Sequence, residues 1–176
     1  SPFAFKPSAP FSSIISSAYS HSNLNNIKSY INLMEIIFPD IKGNYFPKEY
    51  TLESENISPH IEWSKEGAYY ALIMEDPDAP GGTFTHWIIF NIEKNFLEKG
   101  IPRNYDKAIQ LINDFGRRGY DGPFPPKGHG VHHYYFKVFS LSSKLPSNVN
   151  SKEELLREIN KVLIEKGEKI LLYKRD

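Results

Sequence analysis

Two short stretches hold the residues able to do chemistry. The first is "DPDAPGGTFTHW", Asp76 to Trp87, where two carboxylates share a loop with two prolines and two glycines, ten residues ahead of His86. Pro77 and Pro80 fix φ and remove two backbone donors, so the loop loses little entropy when it is ordered and can hold a side chain accurately. The second is "GYDGPFPPKGHGVHHY", Gly119 to Tyr134. Strand alternation after this loop puts His132, Tyr134, Phe136 and Val138 on one face and His133, Tyr135 and Lys137 on the other. By the same rule His86 shares a face with Ile88 and Phe90. Polar groups therefore mark three loop-to-strand junctions: Asp76 with Asp78, His86, and His132 with Tyr134. They converge at one rim if the strands are neighbours.

Several chemistries are disfavoured by what is missing. There is no G-x-S-x-G turn for a serine nucleophile. "GPFPPKG" lacks the G-x-x-x-x-G-K-[ST] pattern, and its prolines remove the amides that would cradle a nucleotide phosphate. His86, His129, His132 and Asp76 are suitable metal ligands, yet no H-E-x-x-H or comparable spacing is present, so no metal and no cofactor are expected. An anion site fits better. Imidazole N–H groups and the Tyr134 hydroxyl can donate, and glycine amides of the second loop can approach a ligand closely. An aspartate behind a histidine fixes its tautomer and favours the imidazolium. Acid residues in a proline turn that merely accept turn amides are the plainer alternative.

These residues need a scaffold of short strands. "MEIIF" (34–38), "ISPHIEW" (57–63), "AYYALIME" (68–75), "HWIIFNI" (86–92), "AIQLIN" (108–113), "HHYYFKVFSL" (132–141) and "KILLY" (169–173) read as strands, separated by turn residues. "SKEE" is a capping box with Ser151 as N-cap, and Leu155, Leu156, Ile159, Val162 and Leu163 recur at helical spacing. Gly167 is placed to end that helix. The order lacks strand–helix alternation, so the fold class is mainly β: an antiparallel β-sandwich, a large central sheet on a smaller one, with a C-terminal α-helix.

Composition agrees with a globular domain: 176 residues, 40% apolar, 24% charged, with a formal net charge of zero. Zero net charge gives no bulk attraction to nucleic acid. No apolar run reaches the roughly 20 residues of a membrane span. With no cysteine, disulfides and thiolate chemistry are excluded. A cytoplasmic location is expected, with secretion left open. Residues 1–33, with nine Ser and no acid, read as an N-terminal extension ahead of a domain at 34–176. It is either a processed leader or an arm whose apolar residues dock on the domain or on a second copy as a homodimer.

Taken together, "NISPHIEW" (56–63), "DPDAP" with "HW" (76–80, 86–87) and "GYDGPFPPKGHGVHHY" (119–134) resemble the phosphatidylethanolamine-binding protein family, which includes Raf kinase inhibitor protein. The resemblance covers roughly residues 34–176. It implies a pocket for phosphate-like groups at the sheet rim, lined by Asp76, Asp78, His86, His132 and Tyr134, with Gly122, Pro125 and Pro126 shaping its wall. It also suggests a cis Ala79–Pro80 bond. Two departures stand out: His133 replaces a family Arg, which would remove an ion pair behind the pocket, and Phe124 replaces a glycine, which would narrow the mouth. The reading is of a non-enzymatic binding or regulatory protein for a phosphorylated headgroup or phosphoamino acid. The alternatives are an inhibitor of serine proteases or kinases acting through a surface loop, and a hydrolase built on the histidines and aspartates.

Overall fold

The computed structural model describes residues 34–176, and the proposed arm at 1–33 lies outside them. Eight strands and one helix follow in order: β1 (Ile36–Ile37), β2 (Ile61–Trp63), β3 (Tyr69–Asp76), β4 (Phe84–Ile92), β5 (Phe96–Leu97), β6 (Ile109–Gln110), β7 (His132–Leu141), α1 (Lys152–Val162) and β8 (Leu163–Tyr173). They form a three-stranded sheet, β1-β2-β5, and a five-stranded sheet, β6-β4-β3-β7-β8. All strand pairs are antiparallel. This is the mainly β, two-sheet architecture with a C-terminal helix that the strand pattern predicts.

The central strands β3 and β4 of the large sheet are buried on both faces, which is why they are apolar almost throughout. Tyr70, Leu72 and Met74 of β3, Trp87 and Ile89 of β4, and Tyr134, Phe136 and Val138 of β7 join the core that includes Ile36, Ile61 and Trp63 of the small sheet. Ala71, Ile73, Ile88, Phe90 and Phe139 point the other way, against Leu155 and Ile159 of α1. Ser151 caps that helix by accepting from the Glu154 amide at 3.1 Å. The Glu154 carboxylate reaches back to the Asn150 amide, one residue before the expected partner. Among the described residues no helix is long and apolar enough to cross a membrane.

Two expectations need correction, and one strand was not foreseen. The helix ends at Val162 and not at Gly167, and the chain turns directly into β8, where Leu163 is a strand residue and Gly167 pairs with Val138. The glycine serves a close approach: a β-carbon there would run into the Met34 carbonyl oxygen. Strand β5, only two residues long, carries too little alternation to be read from sequence. No cis peptide occurs among the described residues, so Ala79–Pro80 is trans, the favoured state for an X–Pro bond.

Gly167→Ala should therefore force the Met34 backbone away from β8. Overpacking of this kind costs about 1–3 kcal/mol, which a shift in the urea unfolding midpoint at unchanged slope would report.

Candidate functional site

The central strands deliver the polar residues to one end of the sandwich. Asp76 is the last residue of β3 and lies on the face of Met74, while Glu75 lies on the helix side, paired with Lys152. His132 and Tyr134 open β7 on the same face as Asp76. His86 arrives there by a different route. Met74 pairs with Trp87 and Glu75 with Thr85, so His86 is the extra residue of a β-bulge. Bulges redirect side chains. His86 is turned off the face of Ile88 and Phe90, where plain alternation puts it, and its ring packs edge-on to Tyr134 at 5.3 Å.

These groups enclose a cavity of about 180 Å³ lined by Asp76, His86, His132 and Tyr134, by Ala79 and Pro80, by Pro125 and Pro126, and by Phe84, Phe115 and Phe124. Six of the eight residues expected from sequence thus meet around one space. Asp78 and Gly122 are outside its lining. Asp78 accepts from both the amide (2.8 Å) and the ring Nδ1 (2.7 Å) of His133. Burial acts to raise the Asp78 carboxyl, but the bonds from His133 outweigh it and hold the group below its ordinary range. His133, standing where an Arg was expected, thus still binds Asp78 by hydrogen bonds. Gly122 donates its amide to Asn56 Oδ1 at 2.7 Å, and a β-carbon on it would collide with the Tyr50 carbonyl. Its amide is committed to the scaffold. Phe84, Phe115 and Ala79 carried no sequence signal beyond their place near the two motifs.

Hydrogen bonds fix the state of each ring. Asp76 accepts from His132 Nδ1 at 2.6 Å through one oxygen and from the Asp78 amide at 2.8 Å through the other. His132 Nε2 meets His129 Nδ1 at 2.6 Å. His86 Nδ1 donates to the Asp121 carbonyl at 2.8 Å. Burial lowers the His86 pKa against the pull of that carbonyl, so the ring is neutral and Nε2 carries a lone pair. The Tyr134 hydroxyl is fully buried and lies near the Asp76 carboxylate, but like Tyr50, Trp63 and Ser140 among the described residues it makes no well-formed hydrogen bond. Burial, then the charges of Asp76 and Asp78, push its pKa far up, so it stays a donor.

Behind His86 stands Asp121, whose fully buried carboxylate is held by Arg103, Arg117, Asn113 (2.7 Å) and Asn56 (2.9 Å). Burial acts to raise this carboxyl, and the bonds from Arg103, Asn113 and Asn56 bring it below the ordinary range. The outer wall of the cavity is pinned from the C-terminus. Arg175 stacks on Phe124 at 3.8 Å, donates to the Pro125 carbonyl at 3.2 Å and pairs with Glu53 at 3.2 Å. Phe124 is 44% exposed at the rim.

A larger cleft, about 410 Å³, lies at the other end of β4 and is lined by Asn91, Lys94, Phe96, Tyr105 and Lys144 among others. Its buried amide, Asn91, is satisfied by the Leu145 amide and carbonyl. No group of three or more His, Cys, Asp or Glu placed to hold a metal is found among the described residues.

The two sheets, the C-terminal helix and the rim cavity define a phosphatidylethanolamine-binding-protein-like sandwich. Residues 39–174 match the sequence profile of the phosphatidylethanolamine-binding protein family, and the chain belongs to that family. A UPF0098 protein of Aquifex aeolicus is 43% identical over 82% of this chain and 90% of its own. Another, from Pyrococcus horikoshii, is 42% identical over 81% and 78%. Among solved structures, a phosphatidylethanolamine-binding protein homologue from Chlamydia trachomatis superposes with a TM-score of 0.73 at 30% identity, covering 82% of this chain and 99% of that one. Escherichia coli YbcL gives 0.72 at 31%, covering 81% and 99%.

Asp121→Ala would leave Arg103 and Arg117 without their shared carboxylate and loosen the carbonyl that holds His86. The half-exposed arginines return to water, and the main cost is the Asn113 and Asn56 amides left without their acceptor, about 1–3 kcal/mol, measurable by thermal or urea unfolding. The sign with pH follows from the lowered folded-state pKa. The stabilisation is complete above the unfolded carboxyl value near ~3.9 and is lost as pH falls through the lower folded value. The variant should therefore lose less stability than the wild type across that acid range.

Proposed function

We propose that this is a binding protein whose rim cavity takes the monoanion of a small phosphate or phosphate ester. The observation that carries this reading is the Tyr134 hydroxyl, fully buried, lining the cavity and without a well-formed hydrogen bond. A buried donor left unsatisfied costs about 1–3 kcal/mol, and a ligand oxygen would recover it.

The other rings define what that ligand must look like. His86, neutral with Nδ1 committed to a carbonyl, offers an acceptor at Nε2. His132, with Asp76 behind Nδ1, can donate only from Nε2. A ligand facing both needs oxygens that accept and one hydroxyl that donates. A phosphate monoanion has both, whereas a fully deprotonated phosphate ester has no hydroxyl and would meet a lone pair on His86 and the charge of Asp76. The apolar remainder of the lining favours a compact headgroup with little further polarity. The one carboxylate among the lining residues, Asp76, is bonded through both oxygens and no serine or lysine lines the space, which favours binding over turnover.

Calorimetric titration with inorganic phosphate and with O-phosphorylethanolamine at about pH 6 tests this. His132→Ala should abolish measurable binding while the fold is retained. Tyr134→Phe should bind about 2- to 10-fold more weakly, the equivalent of one hydrogen bond. The same variant should be as stable as the wild type or more so by about 1 kcal/mol, because it deletes an unsatisfied group. Unchanged affinity in both variants would place the anion elsewhere.

A further inference from the structure

His132 is 1% exposed, and its two ring nitrogens have separate tasks. Nδ1 is bonded to Asp76. Nε2 is the only polar atom left to meet a ligand, and it is already in use. His129, three residues earlier in the loop, sets its Nδ1 at 2.6 Å from that atom, with the ring centroids 4.9 Å apart. Two imidazoles so placed share one proton between the facing nitrogens. That N–H cannot also serve an anion, so the His129–His132 bond and anion binding through His132 exclude each other.

His129 differs from its partner in every respect that governs mobility. It is exposed, and it is not among the residues that line the cavity. It stands between Gly128 (φ +72°) and Gly130 (φ +87°), whose left-handed conformations only glycine adopts freely. The loop leading into His129 is anchored. The His129 amide closes a turn on the Pro126 carbonyl at 3.2 Å, and the Gly128 amide donates to the Arg175 carbonyl at 3.1 Å. The side chain can therefore leave His132 by rotation about its own bonds and its glycine neighbours, with Pro125, Pro126 and His132 staying in place.

We propose that His129 is an internal plug for the anion site: it occupies His132 Nε2 in the free protein and is displaced when a phosphate binds. This rests on the anion reading above. The plug satisfies the buried imidazole when no ligand is present, and it weakens binding by the strength of the bond that the ligand must break.

The test is calorimetric titration of inorganic phosphate into the full chain and into His129→Ala at about pH 7, where monoanion and neutral imidazole coexist, with thermal unfolding to show that the variant is folded. Removing the plug should tighten phosphate binding about 2- to 10-fold, the equivalent of one hydrogen bond. Equal or weaker binding by His129→Ala, with the wild type still binding, would overturn the plug and leave the anion site standing. Absence of binding by both proteins, at this pH and at about pH 6, would overturn both.

Discussion

Asp76 ends a central strand with its carboxylate 3% exposed, and a charge in that position survives only with partners for both oxygens. It finds one in the Asp78 amide and the other in His132. The first bond folds the proline loop back on the strand end. The second ties β3 to the start of β7 and orients the imidazole. The geometry of the whole rim follows from satisfying this single group. The loop conformation sets Ala79 and Pro80 as one wall, and the His132 orientation leaves Nε2 facing outward. Asp78 is turned to the opposite side, where it meets His133.

A second constraint comes from the sheet. Both faces of its central strands β3 and β4 are buried, so a polar group on β4 has to be aimed at the rim or be buried without a partner. The bulge at His86 does the aiming, and the Asp121 carbonyl takes its N–H. Asp121 itself is stabilised by arginines that remain half exposed, so a strong cluster is built without burying cations. The scaffold thus satisfies most polar groups near the cavity, and the Tyr134 hydroxyl and His86 Nε2 are left over. Sites for ligands are where proteins keep such local defects.

Much of this was legible in the sequence. The long strands declared themselves by β-branched and aromatic runs, and the helix by its cap and periodicity. Asp76, His132 and Tyr134 fell where alternation put them. The misses have physical causes. Alternation has no term for an inserted residue, so the bulge at His86 was invisible. Gly167 looked like a helix stop because glycine has two uses, and the competing one, close approach of a distant backbone, depends on tertiary contact. The Asp78–His133 pair joins the proline loop to the start of β7 and could not be read from a rule about Arg. Gly122 was expected to shape the pocket wall, yet its amide is taken by Asn56, 66 residues away. His129 appeared only as a candidate metal ligand, since nothing in the loop spacing reveals that it reaches His132.

The central claim is that an anion binds at the Tyr134–His86–His132 end of the sandwich. Its most direct test is an NMR titration of the side-chain imidazole and phenol resonances with inorganic phosphate at about pH 6. The account predicts saturable shifts at His86, His132 and Tyr134 together, with one shared dissociation constant and with His60, remote from the cavity, unmoved. Shifts confined to exposed lysines and arginines, with the three cavity rings unchanged at saturation, would contradict it.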